Sequence, residues 1–209
     1  MVASEHDSEH EVFHSSLLST SLNFSNGELK VKESSSSSGF GVRVVKNKKI
    51  GFSYCQNDSD LNKTIQAADS LSKFAVTSSF SFSEKVKFRN LDSIIFDKKL
   101  EDCTTKHLAS ILGTIREGAE SHGGKCRIML DSGSGKISID NTSGFSGTYD
   151  HTALSAYVET MHFDGFGFNY FSSNKLPADS AFFEIGNYAA SMAKNMIGAK
   201  KPHTGQKIP

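Results

Sequence analysis

Ile50-Gly51-Phe52-Ser53-Tyr54-Cys55 and Phe166-Gly167-Phe168-Asn169-Tyr170-Phe171 decide how this chain is read. Gly51, Phe52 and Tyr54 align with Gly167, Phe168 and Tyr170 at one constant offset of 116 residues. Each stretch follows strand-patterned sequence and precedes a helical pattern. The first copy gathers residues 26–32, Gly39-Phe40-Gly41-Val42-Arg43-Val44-Val45 and a helix containing 67–75; the second gathers 134–140, 153–158 and a helix around 188–196. An interval this long is no solenoid period and points to duplication of one sheet-plus-helix unit, at about 10–76 and 98–198.

The strand reading rests on alternation. Leu18, Thr20, Leu22 and Phe24 alternate with Ser19, Ser21 and Asn23, the period of a half-buried strand that starts from Val12. Asn26-Gly27 is a hairpin turn, because both central residues of such a turn need positive φ. Leu29 and Val31 then alternate with Lys30 and Lys32. The serine run 34–38, ending at Gly39, is expected to be a flexible turn or bulge. Val42–Val45 and Ile50–Cys55 form a second hairpin around Lys46-Asn47-Lys48-Lys49.

Asp58 or Ser59 is expected to cap a helix burying Leu61, Ile65, Ala68, Leu71 and Ala75. Residues 77–90 are a polar, Phe-containing connector. Leu100, Cys103, Leu108, Ile111 and Ile115 mark a second amphipathic helix, stopped by Gly123-Gly124. Strands follow at 126–130, 136–140, 149–161 and 166–171, separated by glycine-rich turns. A last helix buries Phe182, Ile185, Ala189, Met192 and Met196 and ends at Gly198. The expected fold is α+β: two repeated units of mostly antiparallel sheet with packed amphipathic helices. Residues 1–198 form that domain, and 199–209 read as a linker to a missing C-terminal domain.

Composition narrows the function classes. Lys plus Arg (23) equals Asp plus Glu (23), so no global positive surface exists to release counterions, which argues against nucleic acid as partner. Cys55, Cys103 and Cys126 are odd in number, widely spaced and without a C-x-x-C pattern. That is neither a disulfide framework nor a zinc ribbon, and it suits a reducing, cytoplasmic setting. No run approaches the roughly 20 apolar residues of a membrane helix, and Met1–Asp7 lacks the basic and apolar parts of a secretory signal.

One motif carries chemistry on paper. His10-Glu11-Val12-Phe13-His14 is a literal H-E-x-x-H, and His6 extends it to three histidines four residues apart. On a helix the two histidines would ligate zinc and Glu11 would be the general base, giving a self-sufficient zinc peptidase. The surrounding alternation is that of a strand, which separates the histidines, so incidental surface histidines are the preferred reading. Asp150, Glu159 and Asp164 stand near His151 and His162 in the second copy and could form an acid–base pair; solvated strand edges and turn caps explain them more simply. The glycine runs at 39–41, 131–135 and 143–147 lack the strand–loop–helix order of phosphate loops and nucleophile elbows. No catalytic, cofactor-binding or metal residue is assigned.

Several ordered segments resemble the N-terminal domain of the TldD/PmbA proteins, the modulator of DNA gyrase family. They are Glu28-Leu29, Ser35-Ser36, Gly39–Val45 and Ile50–Tyr54, the 60–75 helix, Ile137-Ser138-Ile139-Asp140-Asn141-Thr142-Ser143-Gly144, and Glu184-Ile185-Gly186 through Gly198-Ala199-Lys200-Lys201-Pro202 to Thr204-Gly205. The resemblance implies a cytosolic metallopeptidase system acting on unfolded peptides. In it a zinc-bearing subunit carries H-E-x-x-x-H in its C-terminal half and pairs with a metal-free relative. This chain contains no H-E-x-x-x-H, so no ligand carries over. Zinc is expected in a C-terminal domain or partner subunit, and the partners in a TldD-like subunit or a second copy (a dimer) and an unfolded peptide. The 137–144 stretch is more similar to the PmbA (TldE) side. A non-catalytic binding module is the remaining alternative.

Overall fold

The computed structural model describes residues 8–86 and 92–200, with the side chains of 31–33, 92 and 93 left aside. His6, the 1–7 start and the 201–209 part of the expected linker lie outside the described residues, as do 87–90 of the expected connector. The elements are β1 (Glu9–Ser25), β2 (Glu28–Lys46), β3 (Lys49–Cys55), α1 (Leu61–Ser72), α2 (Asp92–Ile95), α3 (Lys98–Glu101), α4 (Thr105–Ala119), β4 (Lys125–Asn141), β5 (Ser146–His162), β6 (Gly165–Ser173) and α5 (Asp179–Asn195). The strands form one sheet in the order β3-β2-β1-β4-β5-β6. The fold is α+β and the sheet is antiparallel, as its register testifies. Val44 faces Gly51 across β2 and β3, Glu159 faces Phe168 across β5 and β6, and His10 and Ser21 of β1 bond Thr142, just past the end of β4, and Asp131 within it.

Both short turns follow from sequence chemistry. Asn26 and Gly27 take φ of 55° and 80°, and Asn47 and Lys48 take 51° and 60°. Two successive residues at positive φ match the right-handed twist of the strands they join.

The sheet differs from the expected one at two places where small residues resemble breaks. The serine run 34–38 is not a turn; it continues β2. Its partner β1 is nearly as long, 17 residues against 19, and a backbone ladder asks nothing of the side chains except room. Thr20 and Ser34 hydroxyls meet at 3.3 Å, and His14 Nε2 is hydrogen-bonded to Ser38 Oγ at 3.0 Å. Likewise 131–135 is no turn, and β4 runs unbroken from Lys125 to Asn141. Gly135 provides clearance: a Cβ there would lie 2.6 Å from both the Ser16 carbonyl oxygen and the His151 ring. β1 also begins at Glu9, three residues before the expected start.

The chain divides into two compact units. The first gathers residues up to Leu18, Ser35–Phe96 and Ser134–Thr152. Val42, Val44 and Ala68 form its buried centre, with Val12, Leu61 and Ile65 packed around them. Its helix α1 approaches β3 closely, so a Cβ on Gly51 would lie 1.8 Å from the Ala68 carbonyl oxygen. The buried stripe of α1 is therefore Thr64, Ala68 and Ser72, and Leu71, expected in the core, is exposed. Small residues win the inner face because only they admit the strand. No side chain caps this helix, neither Asp58 nor Ser59, since 58–60 form a 3₁₀ turn.

The second unit comprises Ser19–Ser34, Asp97–Gly133 and the chain from Ala153 onward. Leu22 and Phe24, Ile128 and Leu130, and Leu154, Ala156 and Val158 alternate inward from three strands to meet Leu108, Ile111, Leu112 and Ile115 of α4 and Phe182, Ile185 and Ala189 of α5. Burying each Leu or Ile here stabilises by about 1.5–3 kcal/mol. The expected single helix from Leu100 to Ile115 is broken. Thr104, with extended φ and ψ, accepts a hydrogen bond from the His107 amide and restarts the helix as α4. Met196, expected in the core, is exposed at the C-terminal cap of α5.

Asp97 ties α3 to the segment before α5. Its side chain accepts from the Lys99 amide at 3.0 Å and from the Leu176 amide at 2.8 Å. The Leu176 amide chiefly holds the carboxyl below its usual pKa, against an opposing effect of burial and helped by the Lys99 amide and the Lys175 and Lys99 charges. A folded pKa below the unfolded value means that this contribution is complete above the unfolded pKa and is lost as pH falls through the folded one. The melting-temperature gap between wild type and Asp97→Ala is therefore expected to be full at pH 7 and to narrow steadily below about pH 4. A gap independent of pH would refute the assignment.

Candidate functional site

The H-E-x-x-H stretch lies inside β1. At about 3.3 Å rise per residue its histidines sit roughly 13 Å apart along the strand, and Glu11 points to the opposite face. Glu11 and His14 are otherwise engaged through their side chains, and His10 is tied through its backbone. His14 stacks on Phe40 with ring centroids 4.4 Å apart. The His10 amide donates to Thr142 Oγ1 at 3.0 Å. Glu11, 8% exposed, accepts from Arg43, whose Nε stands 3.0 Å away and whose Nη2 completes the ion pair. Arg43 in turn covers the Phe80 ring at 5.3 Å. The motif's glutamate thus anchors β1 to β2. The residues present do not fit a catalytic zinc, and among the described residues no three His, Cys, Asp or Glu side chains gather as a metal would require.

The five acid–base candidates of the second copy do not converge as a set. Asp150 and His151 belong to the first unit, while Glu159, His162 and Asp164 belong to the second. Asp150 faces Lys136 at 3.9 Å, and His151 packs beside Tyr149. Asp164 accepts from the Gly198 amide at 3.2 Å. These are turn and edge roles.

A cavity of about 1000 Å³ opens in the second unit instead. Chain reversals at one end of its strands build it: the Asn26-Gly27 turn, the Gly123-Gly124 exit from α4 and the turn at Phe163. Gly123 takes φ of 79°, and a Cβ on Gly124 would press Thr160 and the Met161 carbonyl at 2.7 and 2.9 Å. Glutamates and cations share its wall. Glu120 is held by Arg116 Nε, 3.1 Å from both carboxylate oxygens, and Arg116 lies 4.5 Å over the Phe24 ring. Glu159 accepts from the Tyr157 hydroxyl at 3.0 Å, which raises the phenol's pKa. Lys125 and Arg127 project from β4, and Met161, Phe163 and Phe166 supply apolar surface.

Cys126 lies in this wall and is inert. Burial, reinforced by the Glu120 charge, pushes its thiol up to about 12, so it stays protonated at neutral pH. Burial also raises the Cys103 thiol. No thiolate nucleophile is set up at either position.

The outer strands carry a second feature. In β6, Gly165 and Gly167 back onto the Ala193 and Ala189 carbonyls of α5. Phe166, Phe168 and Tyr170 therefore point to the other side, where all three are exposed, Tyr170 to 65%. β3 repeats the arrangement in its own unit: Gly51 backs onto α1, while Phe52 and Tyr54 are exposed, Tyr54 to 77%.

Comparison with known proteins agrees with this architecture. Residues 10–72 match the family described as PmbA/TldA metallopeptidase domain 1. No curated protein matches the chain in sequence. A crystal structure of a protein described as a modulator of DNA gyrase from Thermotoga maritima superimposes with a TM-score of 0.79 at 20% identity, covering 93% of this chain and 46% of that one. TldE from Thermococcus kodakarensis gives 0.75 at 15% identity, covering 89% and 44%. A protein from Bacteroides thetaiotaomicron, likewise described as a modulator of DNA gyrase, gives 0.75 at 15% identity, covering 94% and 47%. The chain spans about half the length of the structures it matches. By sequence the chain matches PmbA/TldA metallopeptidase domain 1 over residues 10–72, and over nearly all of its length it shares the fold of the first half of these solved structures.

Proposed function

We propose that this chain is the N-terminal scaffold of a TldD/PmbA-like cytosolic zinc metallopeptidase system, a domain that helps form the dimer and admits unfolded peptide. Zinc and the hydrolytic water belong, on this reading, to a C-terminal domain or to a TldD-like partner subunit, and the chain stands on the PmbA-like side. The observation that carries the proposal is the pair of outer strands. β3 and β6 end the sheet and carry exposed aromatics on alternate residues. Such a strand offers backbone donors and acceptors to an extended chain with little demand on its sequence, and aromatic faces add contact area without charge. Unfolded peptides share that requirement. The engagement of Glu11 by Arg43 supports placing the metal chemistry elsewhere.

The test is binding without turnover. A fluorescein-labelled, unstructured peptide is expected to raise its anisotropy on titration with this chain and to remain intact by mass spectrometry after prolonged incubation with zinc. Cleavage by the chain alone, abolished by Glu11→Gln, would instead select the self-sufficient peptidase.

A further inference from the structure

We propose that the cavity of the second unit receives the C-terminal carboxylate of an extended peptide ending in a large apolar residue. The proposal rests on the peptide-admitting reading above and gives it a direction: one end of the substrate is recognised. Lys125 and Arg127 occupy alternate positions of β4, so they project from the same side, about 7 Å apart along the strand. Neither head group makes a hydrogen bond or ion pair among the described residues. The two carboxylates of the wall are already engaged, Glu120 by Arg116 and Glu159 by the Tyr157 hydroxyl. Tyr157 is neutral, so Glu159 keeps its charge, and the two cations outnumber that one carboxylate without a cationic partner. A guanidinium and an ammonium side by side suit a carboxylate, which can accept charge-assisted bonds from both.

The rest of the wall selects what is attached to that carboxylate. Met161, Phe163 and Phe166 present apolar surface beside the cations. Phe163 is unusual twice over: it takes φ of 53° and is 83% exposed. Positive φ is costly for a bulky residue, and strain of this kind concentrates at binding sites. Among the described residues its ring meets the His162 ring edge-on, with centroids 4.6 Å apart, and most of its surface is left to pack on something else. A volume of about 1000 Å³ accommodates a large terminal side chain with its adjoining backbone. An internal peptide segment brings a negative charge to Lys125 and Arg127 only where it carries Asp or Glu, whereas every C-terminal chain end brings one.

Fluorescence anisotropy on the full chain, using the N-terminally labelled peptide Gly-Ser-Gly-Ser-Ala-Leu-Ala-Phe as free acid and as C-terminal amide, tests this. The acid is expected to bind about tenfold more tightly than the amide, the size of a charge-assisted interaction. In the double variant Lys125→Ala, Arg127→Ala the acid should fall to the amide's affinity, with the thermal melt unchanged because both side chains are exposed. Equal binding of acid and amide to the wild type overturns the carboxylate site while leaving peptide admission standing. Binding of neither form overturns both readings. Displacement of the peptide by decanoate at concentrations well below the peptide's own would move the site from peptides to free aliphatic acids and overturn the assignment.

Discussion

Gly186→Val is expected to destabilise the chain by about 3 kcal/mol or more, a large share of the roughly 5–15 kcal/mol that holds a domain folded. A Cβ at this position would lie 1.9 Å from the Ile115 carbonyl oxygen and 2.5 Å from the Ala119 amide nitrogen. Both are backbone atoms of α4, so no rotamer change relieves the clash and the two helices must separate. The contact is reciprocal, because a Cβ on Gly118 of α4 would lie 2.0 Å from the Phe183 carbonyl oxygen of α5. Separating the helices uncovers Ile115 and Ala189, both fully buried. Gly113 is the control. It lies on α4, the helix that Gly186 of α5 packs against, and a Cβ there would meet nothing within 4 Å. Gly113→Ala is expected to stabilise by about 0.5–1 kcal/mol, through helix propensity and the unfolded chain's lost entropy. Thermal denaturation of the pair separates the explanations: if both variants lose stability alike, close helix approach is not what Gly186 provides.

Arg43→Ala is expected to cost about 2 kcal/mol, more than the removal of an ordinary surface ion pair. The asymmetry lies in the partners. Glu11 has a side chain only 9% exposed, whereas that of Arg43 is 47% exposed. Removing the arginine strands a nearly buried carboxylate and also uncovers Phe80. The partly exposed arginine keeps the cost below that of a fully buried pair. The double variant Glu11→Leu, Arg43→Ala should recover part of the loss, because the stranded charge is gone. Urea denaturation at pH 7 measures both. A double variant no more stable than Arg43→Ala would show that lost packing, and not the orphaned carboxylate, sets the cost.

The sequence was most legible where a residue type has one structural use. Asn26-Gly27 and Asn47-Lys48 sit at positive φ in tight turns, and Leu22 and Phe24 point inward by alternation. It was least legible where glycine or serine has several. Gly135 reads as a turn from its neighbours, yet its role is clearance for His151 and Ser16, which are distant in sequence. The inner face of α1 misleads for the same reason. Leu71 has the hydrophobicity for the core, but the strand beside Ala68 leaves no room for it. Strand alternation separated the H-E-x-x-H histidines, although Arg43 as the partner of Glu11 could not be read from spacing. The cavity escaped reading because its wall is assembled from 24–27, 120–127 and 159–166. The available signal was topological: an antiparallel meander brings its alternate turns to one end.

That β1 is a structural strand whose histidines hold no catalytic zinc is tested most directly by zinc titration of the purified chain, followed by calorimetry and by metal analysis after dialysis. No stoichiometric zinc is expected, with identical results for wild type and His10→Ala. One equivalent of tightly held zinc, lost on His10→Ala, would contradict it.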